Sequence, residues 1–130
     1  MIIDTSAIIA ILRDEPDANR FIKAISQVGN PLISAANLVE AAIVVDSNHD
    51  PVLSGRFDDL FTAANIGVEA VTQKQADIAR RAYRDFGKGS GHPASLNFGD
   101  CFAYALARDK DEPLLFKGED FKHTDIVSVF

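Results

Sequence analysis

Met1-Ile2-Ile3-Asp4-Thr5-Ser6-Ala7-Ile8-Ile9-Ala10-Ile11-Leu12 decides the fold. Four residues, Met1 to Asp4, read as a short strand that is apolar on both faces, which is the pattern of a strand buried inside a sheet. From Ser6 the apolar residues take up helical spacing to about Leu12. A buried strand that gives way to a helix within two residues is the opening of an α/β unit. The acid at its junction, Asp4, falls where parallel sheets place their ligand sites, just beyond the carboxyl end of a strand. Asp4 has a second reading, as the cap of the helix that follows.

The alternation continues along the chain. Helices are predicted over 15–28, 35–48, 51–64, 73–86 and 97–108, with Phe21, Ile22 and Ile25 as the apolar face of the first of these. Strands are predicted over 32–34, 68–71, 114–116 and 126–129, and a short helical turn over 118–121. Gly29-Asn30-Pro31 and the stretch from Gly87 to Pro93 read as turn and loop. Helices alternating with short apolar strands define an α/β protein: a three-layer α/β/α sandwich with a mostly parallel central sheet.

The chain has 130 residues, the size of a single domain, 1–130. Its 47% hydrophobic and 25% charged residues are a globular composition. No apolar run reaches the roughly 20 residues of a membrane span, and the first twelve residues lack the basic start of a signal peptide. One cysteine, Cys101, excludes an internal disulfide. A cytoplasmic protein is expected. The net charge of −6 runs against the basic footprint usual for nucleic-acid binding, unless many of the carboxylates are gathered at one site and neutralised there by a cation.

Two further acids stand in apolar helices. Glu40 lies among Leu38, Val39, Ala41, Ala42, Ile43, Val44 and Val45, in a helix apolar nearly all round and therefore expected to be buried. Its neighbours one turn away, Ala36, Asn37, Ile43 and Val44, include no cation. The alternative for Glu40 is a narrow exposed stripe. Asp100 lies in Leu96-Asn97-Phe98-Gly99-Asp100-Cys101-Phe102-Ala103-Tyr104, again without a cation one turn away. If Asn97 caps that helix, Asp100 occupies the third helical position, where a carboxylate completes a capping box; this role and a ligand role are compatible. Two carboxylates about 4 Å apart repel by about 4 kcal/mol at an effective dielectric near 20, so a cluster of Asp4, Glu40 and Asp100 must take up protons or a cation. An all-oxygen donor set suits Mg²⁺, with Mn²⁺ as the alternative, and such sites cleave phosphodiesters.

The segments MIIDTSAIIAIL, NLVEAAIVV, LNFGDCFAYALA and PLLFKGEDFKHTDI together resemble PIN domains, most of all the VapC toxins of type II toxin–antitoxin modules, over essentially the whole chain. The resemblance implies an Mg²⁺- or Mn²⁺-dependent endoribonuclease acting on structured RNA such as tRNA or rRNA, a homodimer, and a VapB-like antitoxin as partner. It implies Asp4, Glu40 and Asp100 as metal-site acids, with Ser6 orienting Asp4. Many relatives carry a Thr-x-Asp-x-Asp-Phe-like stretch where this chain has Phe116-Lys117-Gly118-Glu119-Asp120-Phe121. Asp120 is therefore the fourth catalytic acid implied, with Glu119 as substitute, and the change at Phe116 and Gly118 gives Lys117 room to approach the scissile phosphate.

Competing readings carry less. Lys88 in Gly87–Gly91 lacks the order of a phosphate-binding loop. Arg80, Arg81, Arg84 and Lys88 read as a solvated face pairing with Asp77 and Asp85, or as an RNA-backbone contact. Cys101 reads as a small core residue. His49, His92 and His123 lack metal-ligand spacing. A catalytically inactive PIN-like binding or assembly module is the alternative function. A small Mg²⁺ phosphatase lacks its Asp-x-Asp nucleophile, because position 6 is Ser.

Overall fold

The computed structural model describes residues 1–130. Its elements run β1 (Ile2–Ile3), α1 (Thr5–Leu12), α2 (Ala18–Ser26), β2 (Leu32–Ser34), α3 (Ala35–Asp46), α4 (Pro51–Ala63), β3 (Gly67–Glu69), α5 (Gln73–Phe86), α6 (Phe98–Lys110) and β4 (Leu114–Leu115), followed by a 3₁₀ turn (Asp120–His123). The four strands form one sheet in the order β3-β2-β1-β4, and every pairing is parallel. The expected architecture is the one observed.

The pleat divides the core. Ile3, Ile33 and Leu115 face α1 to α4 and build one apolar cluster with Ile8, Ile11, Phe21, Ile25 and Val45. Ile2 and Leu114 face the opposite way, against Leu96, Leu106, Ala103 and Phe121. Both strands in the middle of the sheet are thus covered on two sides, which is why they carry no alternation. No helix is long and apolar enough to cross a membrane.

Side-chain caps start the helices where the sequence offers them. Asp50 accepts from the backbone of Val52 and Leu53, Thr72 from Gln75, and Asn97 from Asp100.

Four local expectations are corrected. The helix expected from residue 15 begins at Ala18, after a turn in which the Ala18 N–H bonds the Glu15 carbonyl at 2.9 Å, and Ile22 turns outward rather than joining Phe21 and Ile25 in the core. The strand expected over 68–71 pairs over Gly67–Glu69. The strand expected over 126–129 contributes one bridge, Ser128 opposite Leu114, because only Leu114 exchanges backbone bonds with Val127 and Val129. Finally, α3 is not buried all round: Val39 is 56% and Ile43 63% exposed, so Glu40 lies on a partly open flank.

Candidate active site

The sheet order reverses direction between β1 and β4: the chain leaves β1 toward β2 on one side, and β4 is added on the other. Such a switch point opens a crevice at the carboxyl edge of a parallel sheet. Here the crevice, of about 280 Å³, is lined by Asp4, Thr5, Ser6, Glu15, Glu40, Asn97, Asp100 and Lys117.

Asp4 enters it from the end of β1 and caps α1. Its Oδ2 accepts from the Ser6 backbone N–H at 2.9 Å and from the Ser6 hydroxyl at 2.5 Å. Ser6 Oγ in turn accepts from the Lys117 backbone N–H at 2.9 Å, which ties the start of the chain to the segment after β4. Asp4 is only 3% exposed, and its Oδ1 is buried without a partner. Burial, followed by the charge of Glu40, raises its pKa against the opposing hydrogen bonds from Ser6. The capping reading of Asp4 holds: one oxygen caps the helix, and the other is buried without a hydrogen-bond partner.

Glu40 arrives from α3. Its Oε2 accepts from the Thr5 hydroxyl at 2.6 Å and from Asn37 Nδ2 at 3.2 Å. Asn37, fully buried, also donates to the Gly99 carbonyl at 3.0 Å. Gly99 lies directly under the carboxylate, so close that a Cβ at this position would overlap Glu40. Thr5, Asn37 and Gly99 therefore place Glu40, and the sequence reading missed all three as site residues. Asn37 was visible one turn before Glu40; the roles of Thr5 and Gly99 depend on contacts 35 and more residues away.

Asp100 enters from the first turn of α6 in the expected capping box. The Asn97 N–H donates to Asp100 Oδ2 at 2.8 Å, and the Asp100 N–H donates to Asn97 Oδ1 at 2.9 Å. Partial burial pushes its pKa up to about 7, with the charges of Asp4, Asp120 and Glu40 adding to the effect against the Asn97 hydrogen bond. Asp120, the first residue of the 3₁₀ turn, acts on Asp100 through its field but does not line the crevice. Glu119 turns to Lys122 at 2.7 Å instead. Lys117 contributes an ammonium to the crevice, where it pairs with Glu15.

A divalent cation is the group this donor set implies. No three of the carboxylates close around one point at ligating distance. Their chemistry nevertheless fits: the donors are all oxygens, Asp4 Oδ1 lacks a partner inside the protein, and Asp100 commits only Oδ2 to its cap. Hard oxygen donors with excess negative charge match Mg²⁺ or Mn²⁺ better than softer ions.

The remaining candidates separate from this group. Cys101 is buried with its thiol raised to about 11 by burial and the adjacent Asp100, so it is no nucleophile. His92 Nδ1 accepts from the Ala94 backbone and serves its loop. Arg84 pairs with Asp85.

Fold and crevice together define a three-layer α/β/α protein that gathers acids from separate segments at the switch point of a parallel sheet. A family model described as PIN domain matches residues 1–127. The chain is 57% identical over 126 residues to the protein named VapC ribonuclease Mb0625 of Mycobacterium bovis, which spans 97% of this chain and 95% of that one. It is 48% identical over 129 residues to Ribonuclease VapC30 of Mycobacterium tuberculosis, with 99% and 98% covered. Among solved structures, Mycobacterium tuberculosis VapC20, described as a sarcin-ricin loop cleaving toxin, superposes with a TM-score of 0.75 at 17% identity over 98% of this chain and 97% of that one. A toxin–antitoxin complex from Klebsiella pneumoniae gives 0.69 at 16% over 92% and 88%. These two structures speak for the fold alone. The chain belongs to the PIN-domain family, in its VapC branch.

Proposed function

We propose that this protein is a divalent-metal-dependent endoribonuclease, the toxin of a VapBC-type pair, and that Asp4, Glu40 and Asp100 hold the metal with Asp120 as the fourth catalytic acid. The observation that carries the reading is electrostatic: Asp4 and Asp100 share one crevice with Glu40, and both are raised in pKa there. Burial first, and the neighbouring carboxylates after it, set that cost to ionisation; acids held so in a crevice are a functional signature, and a cation relieves the cost.

A bound divalent ion supplies Lewis acidity toward a phosphodiester oxygen. The chain's own residues do the positioning. Ser6 locks Asp4 into one rotamer, Thr5 and Asn37 orient Glu40, and the cap with Asn97 aims Asp100. Structured RNA such as tRNA or rRNA is the proposed substrate, on the footing of the relatives named ribonucleases and of the sarcin-ricin loop cleavage that VapC20's description names. A VapB-like antitoxin is the proposed partner, in keeping with the fold shared with the Klebsiella complex. Residues 1–130 would act as one domain, in the cytoplasm. A homodimer is proposed as well: Val39 and Ile43 on α3, and Phe98 on α6 at 77% exposure, leave apolar surface beside the crevice for a second copy to cover.

The test is RNA cleavage by the purified, antitoxin-free protein in Mg²⁺ or Mn²⁺ against EDTA, with Asp4→Asn and Asp100→Asn as controls. Cation-dependent cleavage that both substitutions abolish is the expected result; full cleavage by either variant overturns the reading. The second reading, a PIN-like module without catalysis, draws on Gly118 in place of an acid and on the open spacing of the carboxylates. It predicts that Mn²⁺ leaves the melting temperature unchanged.

A further inference from the structure

An acidic crevice must still accept a polyanion, and the chain's net charge of −6 does not help it. The cations that could guide RNA have to lie beside the crevice. A second cleft, of about 460 Å³, adjoins it between the start of α2 and the segment following β4, and Arg20, Lys117, Lys122 and Phe130 line it together with Asp17 and Glu119. Its volume is that of a site for a ligand of nucleotide size. Lys117 lines both openings, and its backbone N–H bonds the hydroxyl that fixes Asp4. The two spaces therefore meet at a single residue.

Of the cations in this cleft, Lys117 is paired with Glu15, and Arg20 is the one prepared for an anion. The Arg20 guanidinium lies 3.7 Å over the Phe130 ring, and Phe130 is stacked on Phe21 at 6.1 Å with an interplanar angle of 17°. Arg20 enters none of the salt bridges, although Asp17 lines the same cleft. A planar guanidinium held flat on an aromatic ring is the form in which arginine binds phosphate, or accepts a stacked base, with little entropy to lose. Lys122 pairs only with Glu119, three residues earlier and largely exposed, a weak contact that a phosphate readily replaces. By contrast, the arginines of α5 line no surface shared with the acidic crevice.

We propose that this cleft binds the single-stranded RNA segment adjoining the scissile phosphodiester, with Arg20 and Lys122 contacting its phosphates and Lys117 linking it to the crevice. The assignment rests on the ribonuclease reading above and gives the site a direction: RNA leaves the acids across Lys117 and runs over Phe130.

The probe is a fluorescein-labelled single-stranded RNA of mixed sequence and about one turn's length, followed by anisotropy with Ca²⁺ replacing Mg²⁺ so that binding is read without turnover. Each lost phosphate contact lowers the slope of log affinity against log salt by about 0.7 for a single strand. Arg20→Ala with Lys122→Ala is expected to weaken binding about tenfold or more near 0.1 M salt and to lower that slope by about 1.4. Arg20→Lys is expected to keep the slope while losing part of the affinity. In cleavage with Mg²⁺, the double variant raises KM and largely keeps kcat. Arg80→Ala, which removes the same charge from α5, is expected to leave the slope unchanged. Wild-type affinity and slope in the double variant overturn the subsite while cleavage stands, and a double variant that then fails to bind a protein inhibitor assigns the cleft to that partner. An equal effect of Arg80→Ala overturns it too, since the attraction would be general. Wild-type protein that neither binds the RNA nor cuts it in Mg²⁺ overturns the ribonuclease reading and the subsite with it. Circular dichroism and melting of each variant separate loss of binding from loss of fold.

Discussion

The Glu40 carboxylate rests on the backbone of Gly99: a Cβ at residue 99 would fall 2.5 Å from both Cδ and Oε2 of Glu40. Real Cβ atoms do not come so close, so Gly99→Ala has to push Glu40 away from Thr5 and Asn37. The carboxylate is the end of a flexible, partly open side chain, so the expected cost is about 1 kcal/mol, that of its lost hydrogen bonds to Thr5 and Asn37, together with loss of RNA cleavage. Melting of Gly99→Ala, Glu40→Ala and the double variant checks it. The alanine at 99 should cost clearly less when residue 40 is already truncated; additive costs would show that the clash is not with Glu40.

Asp4→Asn keeps an oxygen for Ser6 and removes the charge. Cleavage is expected to fall by about 100-fold or more, beyond the range typical of residues that only support a metal ligand. Ser6→Ala leaves the carboxylate in place without its hydroxyl partner, and a loss of about 10- to 100-fold is expected. Initial rates under saturating Mn²⁺ rank the two.

The pKa of Asp100 sets a pH dependence. Its carboxyl is held at about 7 in the folded chain against 3.8 unperturbed, and Asp4 is raised as well. Between these values the folded state binds more protons than the unfolded one, so stability falls as pH rises from about 4 to 7. The metal-free protein should therefore melt higher at pH 5 than at pH 7.5. Asp100→Asn should flatten that difference, and Mn²⁺ should raise the melting temperature more at pH 7.5 than at pH 5.

Asp120 and Glu119 are neighbours with different surroundings. Asp120 raises the pKa of Asp100, whereas Glu119 is engaged with Lys122. Asp120→Asn is expected to lower the pKa of Asp100 and to slow cleavage; Glu119→Gln should do neither to the same extent. Titration of the Asp100 side chain by NMR, alongside cleavage rates, distinguishes the two acids.

Much of this was legible in the residues themselves. The strand Ile2–Ile3 and the helix after Asp4 declare themselves through apolar runs and a cap; Asp4 stands out at the end of that strand, and Glu40 and Asp100 because no local cation accompanies them. The expectation that Glu40 sits in an enclosed helix is corrected: α3 exposes Val39 and Ile43, so an apolar helix need not be an enclosed one. What escaped was everything created by distance along the chain. Thr5 reaching Glu40, Gly99 making room for it and Glu15 holding Lys117 have no periodic signature, since each depends on two segments meeting. The segment 126–129 looked like a strand by composition, yet it has only Leu114 to pair with.

The strand order carries a consequence for how the protein is made. β1 is the first strand to be synthesised, and its outer neighbour, β4, is the last. Until Leu114 and Leu115 leave the ribosome, one edge of β1 has no partner, the Lys117 N–H is not there to hold Ser6, and Asp120 has not been added. A nascent chain therefore carries Asp4, Glu40 and even Asp100 without a finished crevice to hold them. The strand order thus makes the crevice the last part of this domain to be completed, since its walls come from segments more than a hundred residues apart.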